Sequence, residues 1–501
     1  MKFELKGDYF FNHFHQDIDH SDEKIEKFCP ANLEQKLWTS YIKYEHINKI
    51  IDSANHGFSL WKKVSIAERI NYLKKYQEQL LKRKQELATA IALETGKPLW
   101  EAEGEVNSVI SKVNVTIEDS LKRIEAKSFP NILPGTEGSL NFKPIGPCFI
   151  IGPFNFPCHL AGGQILSALI AGNSIVFKPS EKTIYSAQIM IECFDACGFP
   201  EGVINFINGY GETASRIIKE KSIKGVFFTG SKEVGSKILL NTYQDLSKLV
   251  ALELGGKNTS IVHIDANIDH ALVELLNACF LTTGQRCTST SIVALHRSHL
   301  NQFVDRFHTL AKKIIIDHPI DHKEKPFMGP LIDDKALNNY LLYMGMAKRE
   351  GAEEIMRGKA LTKGFKGHYV SPSIHIMEKV SAKSIFLQSE IFGPNCTIIP
   401  YDTIDEAIKI ANLSEYGLAS SIFSSDQNIW QHCLENIETG VININRSTIG
   451  ASAKLPFGGV KSSGNYRPAA VSMIDSCSYP VATLKLEEQK GSEKDIIGLM
   501  K

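Results

Sequence analysis

The strongest constraint in this sequence is a rhythm that sets in near residue 145. Apolar, β-branched runs (CFIIG, SIVF, VINFI, GVFF, LVALEL) alternate with stretches of helical spacing. Strand, helix, strand at this spacing predicts βαβ units on a parallel sheet, because parallel neighbours need a crossover between them. One crossover helix is expected over 184–197, closed by Gly198, which tolerates the left-handed backbone of a helix end. A second series follows residue 256, with a helix over 270–281 and strands near 291–295, 418–424 and 440–445. The fold class is α/β, with two such domains in tandem.

Outside this rhythm the signals are sparser. Ser65 and Glu68 form an S-x-x-E capping box, and Ile66, Ile70, Leu73, Leu80 and Leu81 continue it at helical spacing. KRK at 82–84 reads as the solvated face of that helix. The first 60 residues are polar and weakly patterned. HFHQDIDH, with His13, His15 and His20, fits no standard zinc spacing, so no metal is expected. The Pro- and Gly-rich stretch 130–147 reads as a linker or a projecting hairpin, and the polar residues from Lys485 onward as a loose tail.

Charge and composition exclude several function classes. Lys plus Arg and Asp plus Glu are both 56, for a formal net charge of zero, which argues against nucleic acid or an anionic membrane surface as partner. No apolar run approaches the ~18 residues of a membrane span, and the N-terminal residues lack the long apolar stretch of a signal peptide. The ten cysteines are scattered without a C-x-x-C pair, so a disulfide framework is not expected and the cytoplasm is the default location.

Five short stretches carry chemistry. In TGQRCTST, Cys287 sits among polar residues, whereas free cysteines usually occupy cores. A polar, donor-rich setting favours the thiolate, the nucleophilic form. In LELGGKN, Glu253 ends an apolar run, a setting that raises a carboxyl pKa toward that of a general base. In FFTGSKEVGSK, Gly230, Ser231 and Gly235 form a turn from strand to helix N-terminus, a shape that binds phosphate. In SIVFKPSE, Lys178 and Glu181 stand at a strand end, where such groups meet ribose hydroxyls. In GPFNFPCHL, Asn155 offers an amide to an oxyanion. Taken singly each has a plainer alternative: a surface cysteine near a helix end, a glutamate paired with a lysine, an ordinary turn.

Taken together and in order, the stretches PFNFP, AGNSIVFKPSE, FTGSKEVG, LELGGKN, GQRCT, SEIFGP and PFGGVKSSG resemble the aldehyde dehydrogenase superfamily. They span 152–464, and ETGKPLWEAEGEV at 94–106 extends the likeness upstream. The resemblance implies Cys287 as nucleophile, Asn155 as an oxyanion donor with the Cys287 N–H, and Glu253 as the base that activates water. It implies NAD as cofactor, with Lys178 and Glu181 at the adenine ribose, where Glu181 disfavours a 2′-phosphate. Gly230, Ser231 and Gly235 fall at the pyrophosphate, and Glu390 and Phe392 at the nicotinamide ribose and ring. Arg286, beside the nucleophile, is given no catalytic role. Phe154 stands where many relatives have Trp, and Ser389 where an acidic residue is usual.

The implied layout is a Rossmann-type NAD domain (1–123 and 145–255), an α/β catalytic domain (256–456), a small β oligomerisation arm (124–144 and 471–485) and a polar tail (486–501). A homodimer or homotetramer follows from the arm. GASAKLPFGGVKSSGNYRPAA and ETGKPLWEA resemble the branch of the family whose semialdehyde carries carboxylates away from the carbonyl. Arg446, Thr448, Lys454 and Arg467 are the candidate carboxylate ligands. A relative acting on a different semialdehyde, and a non-catalytic protein retaining the fold, are the alternatives. Cys158, Cys193 and Cys197 are read as packing residues.

Overall fold

The computed structural model describes residues 3–16, 18, 21–486 and 498. The strands predicted from 145 to 255 form five of the seven strands of one sheet. Its order is Leu249–Glu253, Gly225–Thr229, Cys148–Ile151, Ile175–Lys178, Ile204–Phe206, Asp8–Phe10, His13–His15. The first five are parallel, and the two N-terminal strands close the edge antiparallel. The helices His159–Ala171 and Ile184–Asp195 are almost wholly buried, which is why they read as apolar nearly all round. Gly198 takes the expected left-handed conformation, φ 68°.

The N-terminal segment departs from its weakly patterned reading. It supplies the two edge strands, an antiparallel hairpin Glu23–Cys29 with Asn32–Ile42, and the helix His46–Trp61. Charged residues at buried positions hide the pattern. Lys27 lies on the inward face of the hairpin between Ile25 and Cys29. Asp8 is buried against His46 Nδ1 at 2.8 Å and the Asn208 N–H at 2.8 Å. His13 and His15 lie in an edge strand, with His15 stacked on Phe10 at 3.8 Å, while His20 falls outside the described residues. Among the described residues no group of His, Cys, Asp or Glu is placed to hold a metal.

The helix Ile66–Lys82 carries the predicted capping box, a feature that stabilises by about 1 kcal/mol. Its buried face is Arg69, Leu73, Tyr76 and Leu80, whereas Ile66 and Leu81 are exposed.

The second sheet has the order Glu353–Met356, Ser373–Ile376, Asn395–Tyr401, Thr290–His296, Asn258–Val262, Ala419–Phe423, Val441–Ile444. Only its first strand is antiparallel. The stretch 130–147 is a projecting hairpin: Lys127–Leu133 pairs with Thr136–Pro144, which pairs in turn with Ser478–Leu486. That last strand starts later than expected, because Val471–Cys477 forms a buried 3₁₀ segment first. Lys485 and Leu486 belong to the strand, and the remainder of the expected tail, Gly498 apart, lies outside the described residues. Among the described residues no helix is long and apolar enough to cross a membrane.

Candidate active site

The register of the first sheet gathers the predicted residues. Ile151 stands opposite both Lys178 and Phe228, and Thr229 opposite Glu253. Lys178, the Gly230 turn, Glu253 and the loop carrying Asn155 therefore leave one carboxyl edge together. The chain crosses from Glu253 through 254–257 into Asn258–Val262, so the second sheet presents its amino edge to the same place. Cys287 precedes the strand Thr290–His296, and Glu390 and Phe392 precede Asn395–Tyr401. Ligand sites in open α/β sheets lie at such carboxyl edges.

The nucleophile turn is built under strain. Thr282 and Thr283 adopt φ of 56° and 55°, a left-handed backbone unusual for β-branched residues. Glu101 holds them: its carboxylate accepts from the Thr282 N–H at 3.2 Å and from the Thr282 hydroxyl. Thr283 Oγ1 donates to the Gly329 carbonyl at 2.9 Å. Gly284, also left-handed, lies so close to Gly393 that a Cβ would fall 2.3 Å from its carbonyl oxygen.

All ten cysteines are free, and all but Cys287 are buried. The polar surroundings do not lower its pKa. Burial, then the carboxylates of Glu253 and Glu390, push the thiol well above its ordinary value. A base must therefore take the proton as the sulfur attacks.

Glu253 is buried, and neither carboxyl oxygen has a hydrogen-bond partner among the described residues. Burial alone raises it well above the usual carboxylate range. The backbone of Glu253 bridges to Gly464, so the PFGGVKSSG stretch closes over the strand end. Asn155 is buried and donates from Nδ2 to the Gln285 carbonyl at 2.9 Å, two residues before Cys287.

On the side of the expected cofactor, Ser231 caps the helix Lys232–Thr242 by accepting from the Val234 N–H at 3.3 Å. Gly235 packs on Leu254, where a Cβ would come within 2.8 Å of the leucine. Lys178 is buried and donates to the Pro179 carbonyl at 3.0 Å, and burial lowers it to about 8 against the pull of Glu181. Glu181 lies at the mouth beside Lys27, Tyr210 and Asp333. Glu390 accepts from the Gly256 N–H at 3.0 Å, and burial raises it to about 7. Phe392 meets Phe154 edge-on, with ring centroids 5.8 Å apart. A turn at a helix N-terminus, a buried lysine and two carboxylates form a polar set that fits a dinucleotide.

A cavity of about 530 Å³ opens on the other side of Cys287. Trp100, Phe156, Phe457 and the segment 450–453 form much of its wall. Its charged lining comes from the helix Leu99–Val115, with Glu101, Glu105 and Lys112, and from Arg286. Sequence reasoning weighed Arg286 without giving it a role and passed over the three helix residues, because acidic and basic residues on an amphipathic helix look solvated. Arg286 turns into the cavity wall, held by Glu101 at 2.5 Å and stacked over Phe156 at 5.0 Å. The four residues suggested as carboxylate ligands do not line it. Thr448 is buried against Thr290 at 2.8 Å, Lys454 is exposed 3.7 Å from Asp119, and Arg446 and Arg467 are exposed. Lys257 was also missed: buried beside Phe386, its Nζ has no hydrogen-bond partner among the described residues, and burial lowers it to about 7.

These features agree with the comparisons to known proteins. The aldehyde dehydrogenase family profile matches residues 18–480, and the chain belongs to that family. It is similar to the N-succinylglutamate 5-semialdehyde dehydrogenase of Novosphingobium aromaticivorans, 35% identical over 456 residues, 90% of this chain and 94% of that one. The enzyme of the same name from Legionella pneumophila is 37% identical over 435 residues, 86% of each chain. Among solved structures, an NAD-dependent aldehyde dehydrogenase from Sinorhizobium meliloti superposes with a TM-score of 0.91 at 26% identity, covering 97% of this chain and 96% of that one. Betaine aldehyde dehydrogenase from Staphylococcus aureus in complex with NAD+ gives 0.91 at 26% identity, covering 99% of this chain and 97% of that one.

Proposed function

We propose that the protein oxidises N-succinyl-L-glutamate 5-semialdehyde to N-succinyl-L-glutamate with NAD, a step of arginine catabolism. The observation that carries the reading is the placement of Cys287 between the dinucleotide edge and a cavity with cations in its wall. The names of the relatives supply the particular semialdehyde.

The chain's residues divide the work. Cys287 Sγ adds to the aldehyde carbon, and its proton passes to the Glu253 carboxylate, whose unpartnered oxygens and raised pKa suit it to the task. An amide nitrogen carries two N–H groups, so Asn155 has one left for the oxyanion beyond its bond to Gln285. Lys178, Glu181, Gly230, Ser231, Gly235, Glu390 and Phe392 hold and orient the dinucleotide. NAD, when bound, accepts the hydride. After giving that proton up to solvent, Glu253 draws a second one from water as it attacks the thioester on Cys287 and returns it to the departing sulfur, which releases the acid and frees the thiol.

The arm is the proposed oligomer contact. Lys127–Leu133 is exposed along its whole length and pairs on one side only, leaving an open edge for a second copy. A homodimer or a dimer of dimers follows.

The test is NADH formation from NAD and a panel of N-succinylglutamate, glutamate and succinate semialdehydes with a plain aliphatic aldehyde. The succinylated substrate should give the highest kcat/KM. Equal values across the panel refute the substrate while leaving the chemistry intact.

A further inference from the structure

Four charged residues line the cavity beside Cys287, and three of them are matched. Arg286 is held by Glu101 at 2.5 Å. Lys97 is paired with Glu105 at 2.7 Å, with both side chains essentially inaccessible. Glu105 is committed further, accepting from the N–H groups of Cys158 at 3.0 Å and His159 at 3.1 Å at the start of the helix His159–Ala171. Lys112 is the fourth. It is 7% exposed, lines the cavity and has no carboxylate within ion-pair distance among the described residues.

Among the described residues the ammonium of Lys112 reaches only His159, whose carbonyl accepts at 3.2 Å and whose ring Nε2 lies at 3.5 Å. The neighbouring helix makes room for it. A Cβ on Gly163 would come within 2.7 Å of Lys112 Nζ, so the absence of a side chain there gives the ammonium its place. That place is beside the first turns of a helix, whose dipole disfavours a cation. A buried, incompletely solvated cation facing a cavity is complementary to an anion entering it.

We propose that Lys112 is the specificity residue of this site, its ammonium binding the substrate carboxylate remote from the reacting carbonyl. The inference rests on the carboxylate-bearing substrate proposed above. Arg286 lies next to Cys287 in sequence and is already neutralised by Glu101, so the remaining positive charge is on Lys112. The apolar wall of Trp100, Phe156 and Phe457 suits the chain that joins aldehyde to carboxylate.

A pH signature accompanies the geometry. Burial lowers Lys112 to about 8, against the charge of Glu105. The groups around it are Glu101 and Glu105 on its own helix, Lys97, Arg286 and His159. Burial, then Lys112 and Lys97, keep His159 well below its ordinary value and hence neutral. The preference for a carboxylate should therefore weaken as pH rises through about 8, where Lys112 loses its charge.

The experiment compares kcat/KM for N-succinylglutamate 5-semialdehyde with that for a plain aliphatic aldehyde in the wild type, Lys112→Met and Gly163→Ala. The ratio should fall about 10- to 100-fold in Lys112→Met, mainly through KM for the succinylated substrate, the loss expected for a hydrogen bond to a charged group. Gly163→Ala, which keeps the lysine but crowds its ammonium, should move the ratio the same way. A wild type that prefers the succinylated aldehyde and a folded Lys112→Met that keeps the preference overturn the proposal. If melting shows Lys112→Met unfolded, an unchanged ratio in Gly163→Ala overturns it. A wild type with no preference refutes the substrate reading, and this inference with it, before any substitution is made.

Discussion

Asn258 Nδ2 donates to the Cys287 carbonyl at 2.7 Å and to the Ser289 carbonyl at 2.8 Å, while its Oδ1 accepts from the Ala419 N–H at 2.9 Å. One amide thus fixes the backbone at and just after the nucleophile and ties it to a neighbouring strand. Asn258→Ala leaves three buried backbone groups unpaired and should cost about 2–4 kcal/mol of stability in denaturant unfolding. Turnover should fall as the thiol loses its fixed position, while NAD affinity holds. An unchanged kcat would mean that the strained residues Thr282 and Thr283 position the turn without Asn258.

Cys287→Ala should abolish NADH production and leave NAD binding in place, as titration of the cofactor would show. Dehydrogenase activity in this variant would refute the assigned nucleophile. Because the other nine cysteines are buried, iodoacetamide should label Cys287 first. Labelling of the protein without NAD at neutral pH should be slower than that of a free thiol, since burial and two carboxylates hold the proton on sulfur.

Glu253→Gln should slow thioester hydrolysis more than the first burst of NADH, measured by rapid mixing. The wild-type hydrolysis step needs the carboxylate, so its rate should rise with pH through the elevated pKa of Glu253. Stability should move the other way. A carboxyl whose folded pKa is raised stabilises the fold fully below the ordinary pKa of about 4.3 and loses that contribution as pH climbs to the folded value. The wild type should therefore lose stability relative to Glu253→Gln across that window. Parallel stability curves would show that the carboxylate is solvated after all.

Much of this site is legible in the sequence because Lys178, the Gly230 turn and Glu253 each follow an apolar run that reads as a strand. SIVF ends at Lys178, GVFF at the Gly230 turn and LVAL at Glu253, so one parallel sheet brings them together. The cavity is a different matter. Its charged wall comes from a helix carrying Glu101, Glu105 and Lys112, where Glu101 is paired by Arg286 from the nucleophile turn and Glu105 by Lys97 from just before the helix. Periodicity cannot distinguish such a face from a solvated one. The C-terminal candidates failed for the converse reason. Arg446, Lys454 and Arg467 lie near the site in sequence, but the loop turns their side chains outward. The N-terminal strands were hidden because Asp8 and Lys27 occupy inward positions that pattern reading reserves for apolar residues.

The arm gives the last prediction. Phe129, Ile132 and Leu133 are 44%, 51% and 52% exposed on a strand with one open edge, a combination that natural proteins cover or charge. If the edge joins subunits, the wild type should sediment as an even-numbered oligomer. Ile132→Asp with Leu133→Lys should shift it to a smaller species, because buried charge opposes the pairing. The two residues are distant in the sequence from Cys287, and the hairpin that carries them packs on Ser478–Leu486 without contributing to the cavity lining. The smaller species should therefore still bind NAD, and any loss of activity should track subunit dissociation when the protein is diluted. A wild type that is monomeric across the concentrations used for assay would remove the arm from this role.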